Sequence, residues 1–428
     1  FDVDNKYGYI IKENGNIKGK MVRCILALQH LIAMFGSTIL VPMLTGMDPS
    51  VALFTAGTGT LIFHACTKRK VPVFLGSSFA FIAVINAVKA DYGDLRYAQG
   101  GMFVAGLLYV LTSFVIKKVG VDRIKRVLPA HVVGPMIMVI GLNLIPTALD
   151  MASKNVILAV ITLGTTLVIK QFGRGFIKQI AILVGVIVGY TISLFTGFVD
   201  TASISQAALV SIPNFTLPKF NIGAIMIVAP VVLAVFMEHV GDITTNGMVV
   251  GENFIEDPGL NRTFLGDGLA TLTASLLGGP ANTTYGENTG VLAMTKNYDP
   301  SLLRLSAVFA IALSFISKFG AAIRTIPQPV MGGISLMLFS MIAIVGTKTI
   351  KDEKVKFNAK NLIIMASILF IGLIAPYINP MLNEHFGFII GLKITKTVTI
   401  SGLSFAAIVG VVLNLILNGV GKDTSNKK

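Results

Sequence analysis

The sequence predicts an all-α polytopic membrane protein of about 14 transmembrane segments in two inverted seven-span repeats, with short extended pieces in spans three and ten. Three observations lead there. Of 428 residues, 54% are apolar and only 13% charged, a balance foreign to soluble domains of this size. Apolar runs of roughly 17–25 residues recur from Met21 to Asn418 with short connections. Two of these runs are broken by Gly, Pro and small polar residues at corresponding places in the two halves.

Residues 1–20 read as a polar tail. Span one follows at 21–44, with Gln29 and His30 near its middle, and span two at 51–66. Residues 71–89 are interrupted: Pro72 opens the segment and Gly76-Ser77-Ser78 precedes Phe79, which predicts an extended piece leading into a half-helix. Spans four to seven, at 99–116, 127–149, 155–169 and 176–195, complete a first repeat over residues 21–197. The longest loop, 198–221, is polar, carries Pro213 and Pro218, and separates the repeats. Span eight, at 222–244, contains Glu238 and His239; span nine lies at 264–277, with Asp267 expected to cap its start. Span ten is the second interrupted segment, opening Gly278-Gly279-Pro280-Ala281-Asn282-Thr283-Thr284-Tyr285-Gly286-Glu287-Asn288 and continuing to Thr295. Spans eleven to fourteen, at 302–319, 330–345, 362–378 and 400–417, complete a second repeat over 222–418, and residues 419–428 form a C-terminal tail.

The formal charge of +14 is spread through short loops and forms no basic stripe with interleaved aromatics, so a nucleic-acid partner is not expected. It reports topology. Lys12, Lys18, Lys20 and Arg23 precede span one, Lys68-Arg69-Lys70 follow span two, and Lys117, Lys118, Arg123, Lys125 and Arg126 follow span four, whereas residues 45–50 carry no Lys or Arg. The positive-inside rule then puts both termini in the cytoplasm and the protein in the cell membrane, with lipid around it. Cys24 and Cys66 fall in predicted spans and are expected to pack as small apolar residues.

Comparing the halves at an offset of about 200 residues shows weak internal symmetry. Leu28-Gln29-His30 matches Met237-Glu238-His239, the break at Gly76–Phe79 matches the one at Pro280–Gly286, and Leu128-Pro129 with Gly134 matches Ile326-Pro327 with Gly332. A repeat with an odd number of spans sits in the bilayer opposite to its twin, the plan typical of secondary transporters. Non-helical backbone at membrane depth must face protein or a watery cavity, because unpaired N–H and C=O groups in hydrocarbon cost several kcal/mol each. The two breaks are therefore expected to meet near the midplane and bind a ligand. Backbone N–H groups around Phe79 and Gly286 would donate to it, and ionised Glu238 and Glu287 would accept from it. That mixed set favours a neutral, amide-like ring over an anion, with Phe79 and Tyr285 available to stack on its faces. Glu238 and Asp242 share a helix face with His239 beside them; withdrawn from bulk water, such groups suit proton exchange during transport. Gln29, His30 and Asn288 are secondary candidates, acting either by ligand contact or by interhelical hydrogen bonding. The sequence contains no metal-ligand cluster, nucleophile–base motif or cofactor loop, so neither an enzyme nor a cofactor is expected.

At these residues the chain resembles the nucleobase–ascorbate transporters, and within them the bacterial uracil permease branch. The residues are Glu287-Asn288-Thr289-Gly290-Val291-Leu292-Ala293-Met294-Thr295-Lys296, Gln29-His30, Gly76-Ser77-Ser78-Phe79-Ala80-Phe81, Glu238-His239-Val240-Gly241 and Asn282-Thr283-Thr284-Tyr285-Gly286. The resemblance implies a core domain of spans one to four and eight to eleven, a gate domain of spans five to seven and twelve to fourteen, proton symport of uracil, and a homodimer. It implies that Glu238 and Glu287 hold ring N–H groups, that Phe79 and Gly286 supply backbone donors, and that Tyr285 lines the pocket. In one place the chain departs from that branch. Asp242 stands where uracil permeases commonly have a second histidine, a substitution shared with purine-transporting relatives, so a xanthine or uric acid symporter is the alternative. An anion transporter or channel of the same plan is the more distant one.

Overall fold

Capping chemistry sets several helix boundaries in the computed structural model, which describes residues 17–120, 123, 127–199, 202–393 and 399–419. After α1 (Ile17–Thr45), α2 (Pro49–Cys66) starts where Asp48 accepts a hydrogen bond from Ser50 N at 2.8 Å and Pro49 fills the first helical position. Strand β1 (Leu75–Ser77) and a 3-10 turn (Phe79–Phe81) lead into α3 (Ile82–Tyr92), and Asp94 caps α4 (Leu95–Val119). Next come α5 (Ala130–Ser153), α6 (Val156–Phe172), α7 (Ala181–Phe195) and α8 (Ile222–Val250), the last tightened into a 3-10 turn at Ala229–Val231. α9 (Leu260–Leu277) stops at Gly278, whose φ of 90° is a conformation that a residue with a β-carbon adopts only at a cost. Strand β2 (Asn282–Thr284), α10 (Gly286–Thr295), α11 (Pro300–Ser314), α12 (Ser317–Arg324), α13 (Gln328–Asp352), α14 (Ala359–Phe386) and α15 (Gly402–Asn418) follow. The tails expected over residues 1–20 and 419–428 lie almost wholly outside the described residues.

Among the described residues, α1, α4, α5, α8, α13 and α14 are long and apolar enough to cross a membrane; α11 with α12 makes a seventh if read as one broken span, and α6, α7 and α15 are shorter apolar helices. Their outward faces are hydrocarbon: Ile157 is 74% exposed and Phe195 89%. Side chains of this kind at such exposure belong against lipid, and the chain is a multi-pass membrane protein.

Helix α13 lies along α5. α9 packs against α4 and α2, α11 against α2 and α1, and the start of α8 against α4. α6 packs against α7 and α13, and α14 against α15 and α5. One apolar core, including Phe81, Tyr109, Met136, Val235 and Phe264, joins α4, α5, α8 and α9 to the interrupted segment. A second, with Leu40, Ile82, Leu144, Val186, Leu338 and Phe339, joins α1 and α3 to α5, α7 and α13.

One expectation is corrected. The run read as one span at 302–319 bends by 82° between α11 and α12, where Ser211 N donates to Phe315 O and Ser317 N to Leu209 O. In the long loop, the described residues 198–199 and 202–221 are held against the rest of the protein. Beyond a short helix at Ala202–Gln206 they strap the ends of α4 and α9, with Lys219 N donating to Arg96 O at 2.8 Å and Thr216 N to Leu277 O at 3.2 Å. Cys24 lies on the exposed face of α1 and Cys66 is half-buried at the end of α2; both are free thiols.

Candidate functional site

The two interrupted segments meet. β1 and β2 pair antiparallel, Leu75 opposite Thr284, Gly76 opposite Thr283 and Ser77 opposite Asn282. A two-stranded ribbon inside a helical membrane protein leaves an outer edge on each strand, and buried backbone groups there must find partners. Threonines supply them. Leu75 N donates to Thr60 Oγ1 of α2 at 2.9 Å, and Asn282 N donates to Thr271 Oγ1 of α9 at 3.2 Å. Beyond the ribbon, Ser78 N donates to Ala281 O at 2.8 Å and Tyr285 N to Phe74 O at 3.1 Å. One strand leads into the turn at Phe79–Phe81 and the other into α10 at Gly286. The first N–H groups of each have no intrahelical acceptor and carry the positive end of the helix dipole.

Around these helix starts stand the carboxylates. Glu287, in the first turn of α10, accepts from Ser37 Oγ at 2.6 Å; Asp242 of α8 accepts from Thr284 Oγ1 at 2.7 Å. Glu238, one turn before Asp242, lies within electrostatic reach of Asp242, Glu287 and Asp267. Glu238, Asp242 and Glu287 are each half-buried, and Gly286 is exposed although it follows buried Tyr285. A β-carbon built on Gly286 would meet nothing within 4 Å, and the same holds for Gly241, between Glu238 and Asp242. Open space thus adjoins both glycines and the acidic side chains. Tyr285 is 4% exposed, its hydroxyl donates to Ser77 O at 2.9 Å, and its ring lies against Gly76. Phe79 is half-buried against the apolar seam that contains Leu338 and Phe339.

The other sequence candidates sit deeper. His30 is buried, and Asn288 Nδ2 donates to its carbonyl at 3.0 Å and approaches its Nδ1 at 3.2 Å, tying α1 to α10. Gln29 buries Oε1 with no hydrogen-bond partner. His239 is fully buried, with Nδ1 3.2 Å from Asp267 Oδ2 and Nε2 3.0 Å from Thr263 Oγ1, so it faces α9. Asp267 does not cap a helix. α9 starts at Leu260, and Asp267 stands in its interior, fully buried against His239. Asp242 sits within α8 and accepts from Thr284 at the ribbon. Sequence reasoning missed Ser37, Thr60, Thr271 and Thr284. For Ser37 a signal existed: it falls seven residues after His30, on the same helix face. Among the described residues, no three His, Cys, Asp or Glu side chains converge closely enough to hold a metal ion. The assembled groups are N–H donors, hydroxyls and carboxylate acceptors, suited to a flat polar molecule that both donates and accepts.

A family model described as "Permease family" matches residues 22–381. The chain is 44% identical over 417 residues to the uracil permease of Bacillus caldolyticus, covering 94% of this chain and 93% of that one. It is 42% identical over 411 residues to the uracil permease of Bacillus subtilis strain 168, covering 91% of each. It is 39% identical over 404 residues to the uracil permease of Escherichia coli strain K12, covering 91% and 90%. In fold it is similar to the transmembrane domain of a cyanobacterium bicarbonate transporter, BicA, with a TM-score of 0.60 at 16% identity over 95% of this chain and 98% of that one. It is also similar to the murine Slc26a9 anion transporter in the inward-facing state, with a TM-score of 0.69 at 10% identity over 96% and 69%.

Proposed function

The chain belongs to the Permease family, the nucleobase–ascorbate transporters that its sequence resembles, and on that premise we propose that it takes up uracil across the cytoplasmic membrane by proton-coupled alternating access. The observation that carries this reading is the ribbon with its two helix starts, which brings amide donors, Glu238 and Glu287 beside open space at Gly286 and Gly241. Uracil offers two ring N–H groups and two carbonyls, the complement of that set. An anion would meet carboxylates there, so the anion-transporting fold relatives inform architecture and not cargo.

Fourteen spans in two inverted sevens account for the packing. Counting each interrupted segment as one span and α11 with α12 as another, the helix pairings recur seven spans on. The pairing of α4 with α9 reappears as α11 with α2, α6 with α7 as α14 with α15, α13 with α6 as α5 with α14, and α1 with α11 as α8 with α4. Thr60 and Thr271 edge the ribbon from corresponding helices. Spans one to four and eight to eleven then form the core and the rest the gate, the seam between them being the cluster around Leu40, Ile82, Leu338 and Phe339. The substrate-contacting residues are Phe79, Glu238, Tyr285, Gly286 and Glu287. Asp242, Glu238 and His239 handle the proton, both termini face the cytoplasm, and two copies form a dimer. Asp242, which takes the place of a second histidine, favours a xanthine or uric acid carrier as the second reading.

The deciding experiment is uptake of labelled uracil in competition with uracil, xanthine, uric acid and thymine, with and without a protonophore. Uracil is expected to compete best and the protonophore to abolish accumulation. Stronger competition by xanthine would transfer the assignment to purines, and accumulation indifferent to the protonophore would remove the proton.

A further inference from the structure

Ser37 is fully buried on α1 and donates its hydroxyl hydrogen to Glu287 Oε1 at 2.6 Å. The stretch of α1 that carries it, from His30 to Thr38, is held on several sides. Ser77 Oγ donates to Thr38 O at 3.0 Å, Asn288 Nδ2 donates to His30 O at 3.0 Å, and at Gly36 a β-carbon would come within 2.7 Å of Ile182 of α7. The hydroxyl therefore reaches Glu287 from a fixed point. A free glutamate carboxylate rotates easily about its last torsion and can present both oxygens to a bidentate donor.

Resting on the reading that the space beside Gly286 is the nucleobase site, we infer that Ser37 is a positioning residue that sets specificity: by holding Glu287 Oε1 it fixes the carboxylate plane, so that the pair of oxygens cannot turn to face a bidentate donor and a single ring N–H is met instead. Uracil presents a single N–H at any one point of its edge. Isocytosine presents a ring N–H and an amine side by side, a parallel pair suited to both oxygens of an unheld carboxylate. The Ser37 hydroxyl thus favours the first ligand over the second.

The test is equilibrium binding of labelled uracil, and its displacement by isocytosine, to the purified full chain in detergent, as wild type, Ser37→Ala, Ser37→Thr, Glu287→Gln and the Ser37→Ala/Glu287→Gln double variant. Losing a hydrogen bond to a charged group is expected to weaken uracil binding about tenfold in Ser37→Ala and to narrow the preference over isocytosine by a similar factor, with Ser37→Thr within about threefold of wild type. Glu287→Gln keeps an amide oxygen that accepts the Ser37 hydroxyl but removes the charge that strengthens the bond, so removing the hydroxyl in that background is expected to change affinity by about threefold or less. Unchanged preference in Ser37→Ala, or the same loss in both backgrounds, would overturn the inference and leave Ser37 a packing residue. Ser37→Cys, equal in shape but a weaker donor, carries the same comparison if the alanine protein does not fold. If wild type binds xanthine and not uracil, the substrate assignment fails, and the same cycle run with labelled xanthine still decides the role of Ser37.

Discussion

Gly76→Ala tests how tightly the ribbon and the Tyr285 ring are locked together. The added β-carbon would lie 2.4 Å from both Cε2 and Cζ of Tyr285 and 2.8 Å from Thr38 Oγ1. Carbon atoms rest about 3.5–4.0 Å apart, so the ring must retreat by more than about 1 Å. It is pinned at both ends, by Tyr285 N on Phe74 O and by the hydroxyl on Ser77 O, and cannot retreat without dropping one of them. Overpacking of a tight interior costs about 1–3 kcal/mol, and the lost hydrogen bond adds about 0.5–1.5 kcal/mol. The expected loss is roughly 2–4 kcal/mol, with uracil affinity falling at least about tenfold because Tyr285 leads directly into Gly286 and Glu287. With no Trp in the chain, unfolding is best followed by circular dichroism of the purified protein in detergent, beside a binding isotherm. Gly164→Ala is the control, since its β-carbon meets nothing within 4 Å; it should be neutral or stabilising by up to about 1 kcal/mol. A Gly76→Ala protein with wild-type melting and wild-type affinity would refute the packing argument.

Three further outcomes are expected. Gly286→Leu should fold with a near-native melting curve, because a β-carbon there meets nothing within 4 Å, yet lose uracil binding at least about tenfold; retained affinity would move the site elsewhere. Asp242→Asn should bind uracil while losing protonophore-sensitive accumulation, and uphill uptake with unchanged pH dependence would excuse Asp242 from the relay. Asp94→Ala removes a helix cap and should cost about 1 kcal/mol near neutral pH. The Arg96 N–H, and then the Lys219 ammonium, hold the Asp94 carboxyl below the usual carboxylate range. Its contribution is therefore complete above about pH 4 and fades as pH falls through the depressed value, so the melting difference between wild type and variant should shrink in acid. A difference that widened on acidification would contradict that sign.

Both breaks were legible because Gly, Pro and small polar residues inside an apolar run have few other uses, and the carboxylates stood out for their cost in a membrane. The threonines did not. Thr55 and Thr60 both donate to the carbonyl four residues back, as hydroxyls in apolar helices commonly do, and nothing local marks Thr60 as the one that also edges a strand. Asp267 misled because a Gly-Asp-Gly triplet looks like a cap; burial against His239, 28 positions away along the chain, decided its place. The bend between α11 and α12 contains neither Gly nor Pro. Its cause is remote, the strap at Leu209 and Ser211 taking up backbone groups that would otherwise continue the helix.

The register between Leu75–Ser77 and Asn282–Thr284 carries a consequence for biosynthesis. When the earlier strand enters the bilayer, its complement does not yet exist: at about 5–20 residues per second the ribosome needs roughly ten to forty seconds to reach it. Throughout that interval one side of a peptide segment lacks its acceptors and donors in surroundings that tolerate no such vacancy. The newborn amino-terminal half must keep that groove wetted or shielded by the insertion machinery until its counterpart emerges, so neither half can finish its own interior alone.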